Sequence, residues 1–237
     1  MLSKSQLSFI KSLHQKKYRK ESGLFIIEGI KSIVEFIDSP FKIHSIYYLA
    51  EYQSLLPALP ANIKLFEVNN AELDKISTLQ TPQGILALVH IPVSNKLFAK
   101  DLKGLFTLVL DGIQDPGNLG TIIRTADWFG FKQIICSTNT VDVYNPKAAQ
   151  ATMGSLARVK DQLPVFGALL EGKSMYQTDW GTEGLVILGN EGQGITEEVK
   201  AFITHSVTIP RVGAAESLNV AISAAIICSD ISRNLQK

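Results

Sequence analysis

Leu185-Val-Ile-Leu-Gly-Asn-Glu-Gly-Gln-Gly194 runs from an unbroken apolar stretch straight into a turn made of Asn, Glu and glycine. A short apolar run closed off by turn residues reads as a buried strand. Glycines at 189, 192 and 194 mark tight backbone packing. Thr196 then caps a helix whose first turn carries Glu197 and Glu198, favourable at the positive end of the helix dipole. The same order of strand, polar loop and helix occurs twice more. Leu105–Leu110 leads through Asp111-Gly-Ile-Gln-Asp-Pro-Gly117 into a helix over Leu119–Phe129. Ser206–Ile209 leads through a small-residue loop into a helix over Leu218–Arg233. Gln133–Ser137 adds a strand, and Pro146–Thr152 and Glu197–Ile203 add helices. Such alternation builds a mostly parallel sheet covered on both faces, with its loops gathered at the C-terminal edge.

Upstream, a helix runs from Ser5 toward Tyr18 and breaks at Glu21-Ser-Gly23. Leu24–Glu28 reads as a strand, Ile30–Ile37 as a helix, and Ile43–Leu49 and Ile63–Val68 as further strands. Asn70 is a cap for a short helix. Thr81-Pro-Gln-Gly84 is a turn before the apolar strand Ile85–Ile91. Polar and charged residues then replace the apolar rhythm. The reading is a compact α/β unit over 1–91, a linker over 92–103 and a second α/β domain over 104–237.

A 46% hydrophobic content over 237 residues supports real cores and excludes a disordered chain. Cys136 and Cys228 lie in apolar stretches at no metal-ligand spacing and read as reduced core thiols. No apolar leader follows Met1 and no run spans a bilayer, so a cytoplasmic protein without membrane or metal is expected. Net charge is only +1, yet Lys4, Lys11, Lys16, Lys17, Arg19 and Lys20 precede the first acid, Glu21. This cluster is either a solvated helix face or a phosphate-contacting patch, with Lys16, Lys17 and Arg19 as its candidates.

The polar residues of the three loops carry the chemistry. Asn118 is well placed as a helix N-cap or as a site residue. Arg124 lies two turns into its helix, beside the apolar Ile122, Ile123, Ala126 and Phe129, and long helical side chains lean back toward the N-terminus. Its ordinary alternative is an ion pair with Asp127. Glu191 is either a solvated turn residue or a functional carboxylate. Ser217 has a structural role as an N-cap. The loop around Asp115-Pro-Gly-Asn-Leu-Gly120 lacks the Lys-Ser/Thr pair of a nucleotide phosphate loop.

The patterns N-x-G-x-x-x-R-T-A from Asn118, G-N-E-G-x-G-I from Gly189 and I-P-x-x-G-x-x-x-S-L-N-V-A from Ile209 occur in that order. Together they resemble motifs one, two and three of the SpoU/TrmH-like RNA ribose 2'-O-methyltransferases of the SPOUT superfamily. Asp142-Val-Tyr-Asn-Pro-Lys and Ala151-Thr-Met-Gly-Ser155 are similar to the stretch between motifs one and two. Phe25-Ile-Ile-Glu-Gly29 resembles the start of that family's ribosomal-protein-L30-like substrate domain. The resemblance implies a parallel α/β domain with a C-terminal trefoil knot, and a homodimer through that domain with motif one supplied across the interface. It implies S-adenosylmethionine as cofactor and structured RNA, ribosomal or transfer, as substrate. It assigns Arg124 to the 2'-hydroxyl, with Asn118, Glu191, Ser217 and Asn219 around it. Leu188, Gly189, Gly194, Ile209, Pro210 and Leu218 are implied as cofactor contacts. A non-catalytic knotted RNA-binding protein is the alternative. Arg211 and Glu216 place charges where some relatives are neutral.

Overall fold

The computed structural model describes residues 1–92, 103–146 and 165–236. The chain forms two compact units, Met1–Ser94 with Asp142–Ala157, and Asn95–Val141 with Arg158–Lys237. One stretch of the second half, beginning at Asp142, therefore belongs to the first unit. The linker 92–103, the helix at Pro146–Thr152 and the Ala151–Ser155 segment fall almost wholly outside the described residues.

In the first unit, β1 (Leu24–Glu28), β2 (Ile43–Tyr48), β3 (Lys64–Glu67) and β4 (Ile85–His90) form a mixed sheet in the order β1-β4-β2-β3. Strict alternation sends Leu24, Ile26, Leu86 and Leu88 to a core shared with Ile10, Leu13, Leu73 and Ile76. Phe25, Ile27, Ala87 and Val89 face a second core with Ile33 and Phe36. The helices α1 (Lys4–Ser12), α2 (Lys16–Ser22), α3 (Ile30–Ile37) and α4 (Asn70–Ile76) supply those partners. A capping box between Ser3 and Gln6 opens α1, and another between Asn69 and Glu72 opens α4, so the cap is Asn69 and not Asn70.

The N-terminal helix is two helices where the sequence predicts one. Arg19 explains the break: its Nη1 donates to the carbonyls of Leu13 and His14 at 2.9 and 3.0 Å. Those are carbonyls that a helix end leaves without partners. Its Nε and Nη2 donate to Asp142 Oδ2 at 3.2 and 2.7 Å, and the Arg19 side chain is 2% exposed. Arg19 is thus a buried brace and is removed from the phosphate-contacting candidates. Lys16 and Lys17 remain exposed.

The second unit is built on a fully parallel sheet in the order β6-β5-β8-β7-β9. Its strands are β5 (Phe106–Asp111), β6 (Ile134–Cys136), β7 (Val165–Ser174), β8 (Gly184–Gly189) and β9 (His205–Thr208). The sequence reading assigns no strand at β7, because Gly167 and Gly172 interrupt it. Both glycines exist for close approach. A Cβ at 167 would lie 2.3 Å from Ile203, and one at 172 would lie 2.7 Å from the Ser206 backbone. The helices are α5 (Pro116–Trp128), α6 (Glu197–Lys200) and α7 (Val220–Leu235), and α5 packs against α7. Cys228 on α7 is fully buried, which pushes its thiol pKa up. Cys136 is exposed at the end of the edge strand β6 and is not a core thiol. No described helix is long and apolar enough to cross a membrane.

Candidate active site

Three loops leave the C-terminal ends of β5, β8 and β9, and each contributes one side chain to a single hydrogen-bonded row. Asp115, not Asn118, caps α5: its Oδ1 accepts from the Asn118 amide at 2.7 Å, and Pro116 follows in the first turn. Asn118 is thereby freed from capping. Its Nδ2 donates to Glu191 Oε1 at 2.6 Å, and its Oδ1 accepts from Asn219 Nδ2 at 3.1 Å. Asn219 is the true cap of α7, since its Oδ1 accepts from the amides of Ala221 and Ile222. Ser217 does not cap that helix and is exposed in the loop before it.

The row has a defined direction. Asn219 Oδ1 faces two N–H donors, so its amide nitrogen must point at Asn118. Asn118 then accepts with its oxygen and donates with its nitrogen, ending on the Glu191 carboxylate. Hydrogen bonds aligned in this way polarise one another. Glu191 is therefore a placed carboxylate, held by motif one, although it is exposed.

Two residues to which the sequence reading gave no role hold these loops. Asn190 Nδ2 donates to Gly112 O at 2.8 Å, while its Oδ1 accepts from the Gly192 and Gln193 amides at 2.8 and 3.0 Å. Its backbone also pairs with Gly194 in both directions at 2.9 Å. Asp111, 4% exposed, accepts from the Thr196 amide at 2.8 Å. An Asn followed two residues later by Gly is ordinary turn chemistry, and that signal was available in the sequence. Asp111 offered only a charge at the end of an apolar strand.

The glycines of this loop serve two purposes. A Cβ at Gly189 would lie 2.2 Å from the Gly194 carbonyl carbon and 2.3 Å from Ile195 N, so the loop folds back on its own strand end. Gly194, at φ +71, has nothing within 4 Å of its Cβ position. Leu188 is buried, Ile209 half-buried, and Pro210 and Leu218 are exposed. Arg211 Nη1 donates to Ala215 O, closing its own loop. Among the described residues no group of three or more His, Cys, Asp and Glu side chains is placed to hold a metal ion.

Arg124 does not join the row. It lies six residues beyond Asn118 on α5, roughly 120° away around the helix, and it is exposed on the same side as Thr121 and Trp128.

A parallel sheet with polar, glycine-lined loops at the C-terminal ends of β5, β8 and β9 defines a ligand-binding α/β enzyme domain. The comparisons with known proteins then fix the family. Residues 105–229 match the model of the SpoU rRNA Methylase family, and residues 4–87 match the MRM3-like substrate binding domain. The chain belongs to the SpoU rRNA Methylase family. It is 32% identical over 234 residues to the 23S rRNA (guanosine(2553)-2'-O)-methyltransferase RlmP of Bacillus subtilis, covering 92% of each chain. A putative RNA methyltransferase of the TrmH family from Porphyromonas gingivalis superposes with a TM-score of 0.90 at 38% identity, covering 99% of each chain. An AdoMet-bound rRNA methyltransferase from Sinorhizobium meliloti superposes with a TM-score of 0.88 at 29% identity, covering 99% of this chain and 97% of that one. The expected architecture, a parallel α/β domain behind a smaller α/β substrate domain, is met.

Proposed function

We propose that this protein transfers a methyl group from S-adenosylmethionine to a ribose 2'-hydroxyl of ribosomal or transfer RNA, as a cytoplasmic homodimer. The Asn219–Asn118–Glu191 row carries the reading, because it joins all three motif loops at one edge of the sheet. The relatives support it: the Bacillus enzyme is named for 2'-O-methylation of 23S rRNA, and the Sinorhizobium structure holds AdoMet. The knot belongs to the same proposal.

S-adenosylmethionine supplies the electrophilic methyl group. Ile209, Pro210 and Leu218 offer apolar walls for it, the backbone at the buried Leu188 lies at the end of the strand, and the Gly194 backbone is open to close approach. Gly189 acts indirectly, by letting the loop close. Glu191, Asn118 and Asn219 orient the acceptor's surroundings, and Ser217 stands in the same loop. Arg124 faces away from this row, which fits its service at the partner's site across the dimer. Its guanidinium grips the phosphate beside the reacting ribose and orients the hydroxyl; a group that stays protonated is a poor general base.

Calorimetry with S-adenosylmethionine, paired with methyl transfer to transcribed ribosomal and transfer RNAs, tests the reading. Cofactor binding with site-specific 2'-O-methylation is the expected result. RNA binding without turnover would instead make it a non-catalytic knotted RNA-binding protein.

A further inference from the structure

Strand β2 carries a bulge at His44: Ile43 pairs with Val89 and Ser45 with the next residue back, Leu88. A bulge re-aims the side chain it carries. The His44 ring stands 5.6 Å from that of His90 on β4, edge to face. Lys64 opens β3 opposite Ser45. Burial, then the charges of Lys64 and His90, lower the His44 pKa. His90 and Lys64 are exposed and His44 is half-buried.

The charges that act on His44 are both cationic, those of Lys64 and His90, and no carboxylate of the strands or helices among the described residues offsets them. Lys42, just ahead of the bulge, is exposed, and its carbonyl accepts from the His90 amide. Burial raises the pKa of Tyr47, keeping it neutral. The carboxylate of β3, Glu67, pairs opposite Tyr48 at the far end of the ladder. None of His44, His90, Lys42 and Lys64 has an ion-pair partner among the described residues. Cations gathered without an acid repel one another, and an anion among them reverses that cost. A metal ion is disfavoured by the neighbouring ammonium.

Ser45 sets which nitrogen is available. Its buried hydroxyl donates to Tyr47 Oη at 3.2 Å, so its oxygen accepts from His44 Nδ1 at 2.9 Å. The second proton therefore goes to His44 Nε2.

We propose that His44, His90 and Lys64 form a binding site for a backbone phosphate of the RNA substrate. This rests on the RNA reading given above. The site is proton-linked. A phosphate favours the charged His44 imidazole that burial, Lys64 and His90 disfavour in the free protein, so a proton is taken up on binding and affinity rises as pH falls.

The test is fluorescence anisotropy with a labelled transcript of the large-subunit rRNA segment around the guanosine named for the Bacillus relative. Wild type is expected to bind roughly tenfold tighter near pH 6 than near pH 8. His44→Gln with His90→Gln, which keeps an amide beside Ser45, should narrow that ratio to about twofold. Lys64→Gln should lower the slope of log affinity against log salt by somewhat under one unit. S-adenosylmethionine affinity should not move in either variant. A double variant with the wild-type pH ratio overturns the site and leaves the RNA reading intact. A wild type that binds neither this transcript nor a transcribed transfer RNA at either pH overturns both.

Discussion

Asn118→Ala and Asn118→Asp probe the row at its centre. Asn118 donates to Glu191 at 2.6 Å and accepts from Asn219 at 3.1 Å, so alanine removes a charge-assisted and a neutral hydrogen bond together. A hydrogen bond to a charged group contributes about 1.5–3 kcal/mol. Glu191 and Asn219 are exposed and Asn118 is half-buried, so the low end applies. About 1.5 kcal/mol corresponds to roughly a tenfold loss in kcat/KM. Aspartate gives a sharper test, because it sets a carboxylate against Glu191. Two carboxylates at that separation repel, so the pair in this variant holds a proton more tightly than either group alone and can share it. The shared proton restores the contact when bound and leaves repulsion when lost. Activity of Asn118→Asp relative to wild type should therefore rise as pH falls from about 8 to about 5.5. Methyl transfer to a transcribed RNA, measured across that range for all three proteins, reads both effects. An alanine variant within twofold of wild type, or a flat ratio for aspartate, would refute the reasoning.

Arg124→Lys should lose more than about tenfold in turnover with cofactor affinity unchanged, since one ammonium cannot reproduce a planar fork; near-normal turnover in a radiolabel assay sinks the assignment. Gly189→Ala should weaken S-adenosylmethionine binding at least tenfold, about 1.4 kcal/mol by calorimetry, because its Cβ would collide with the Gly194 backbone; unchanged affinity would place the pocket elsewhere. Arg19→Met should cost about 3–5 kcal/mol in urea unfolding, with Asp142→Leu beside it recovering only part of the loss, because the Leu13 and His14 carbonyls stay unpaired. Trp128 and Trp180 both lie in the other unit, so circular dichroism is the probe. Lys16→Gln with Lys17→Gln should stay within about 0.5 kcal/mol in the same assay while flattening the salt dependence of RNA binding. An equal loss in both pairs would contradict the split between buried brace and exposed patch.

The strand-loop-helix order of the second unit was legible in the sequence because its signals are local. Apolar runs end at turn residues, and β5, β8 and β9 lie within a residue of their predicted bounds. Strand β7 was not legible, since its glycines look like breakers until Ile203 and Ser206 are seen pressing against them. Asn118 and Glu191 stand out among the loop residues and the family resemblance adds Asn219, but the two helix caps lie elsewhere than the local pattern suggests. Ser217 was assigned the cap that Asn219 makes, and Asn118 the cap that Asp115 makes.

Composition and spacing thus determined the parallel α/β class, the three loops and the residue types within them, all of which depend on neighbours along the chain. Only the tertiary structure decided which polar group meets which. Arg19 sits in a run of lysines and is no different from them in sequence. It is buried because Asp142, 123 residues away, comes to its guanidinium and the broken helix offers two carbonyls. Asn118 and Glu191, 73 residues apart, likewise become partners only when β5 and β8 lie side by side. Hydrogen bonds and desolvation act over a few ångströms, and distances of that kind are set by the fold.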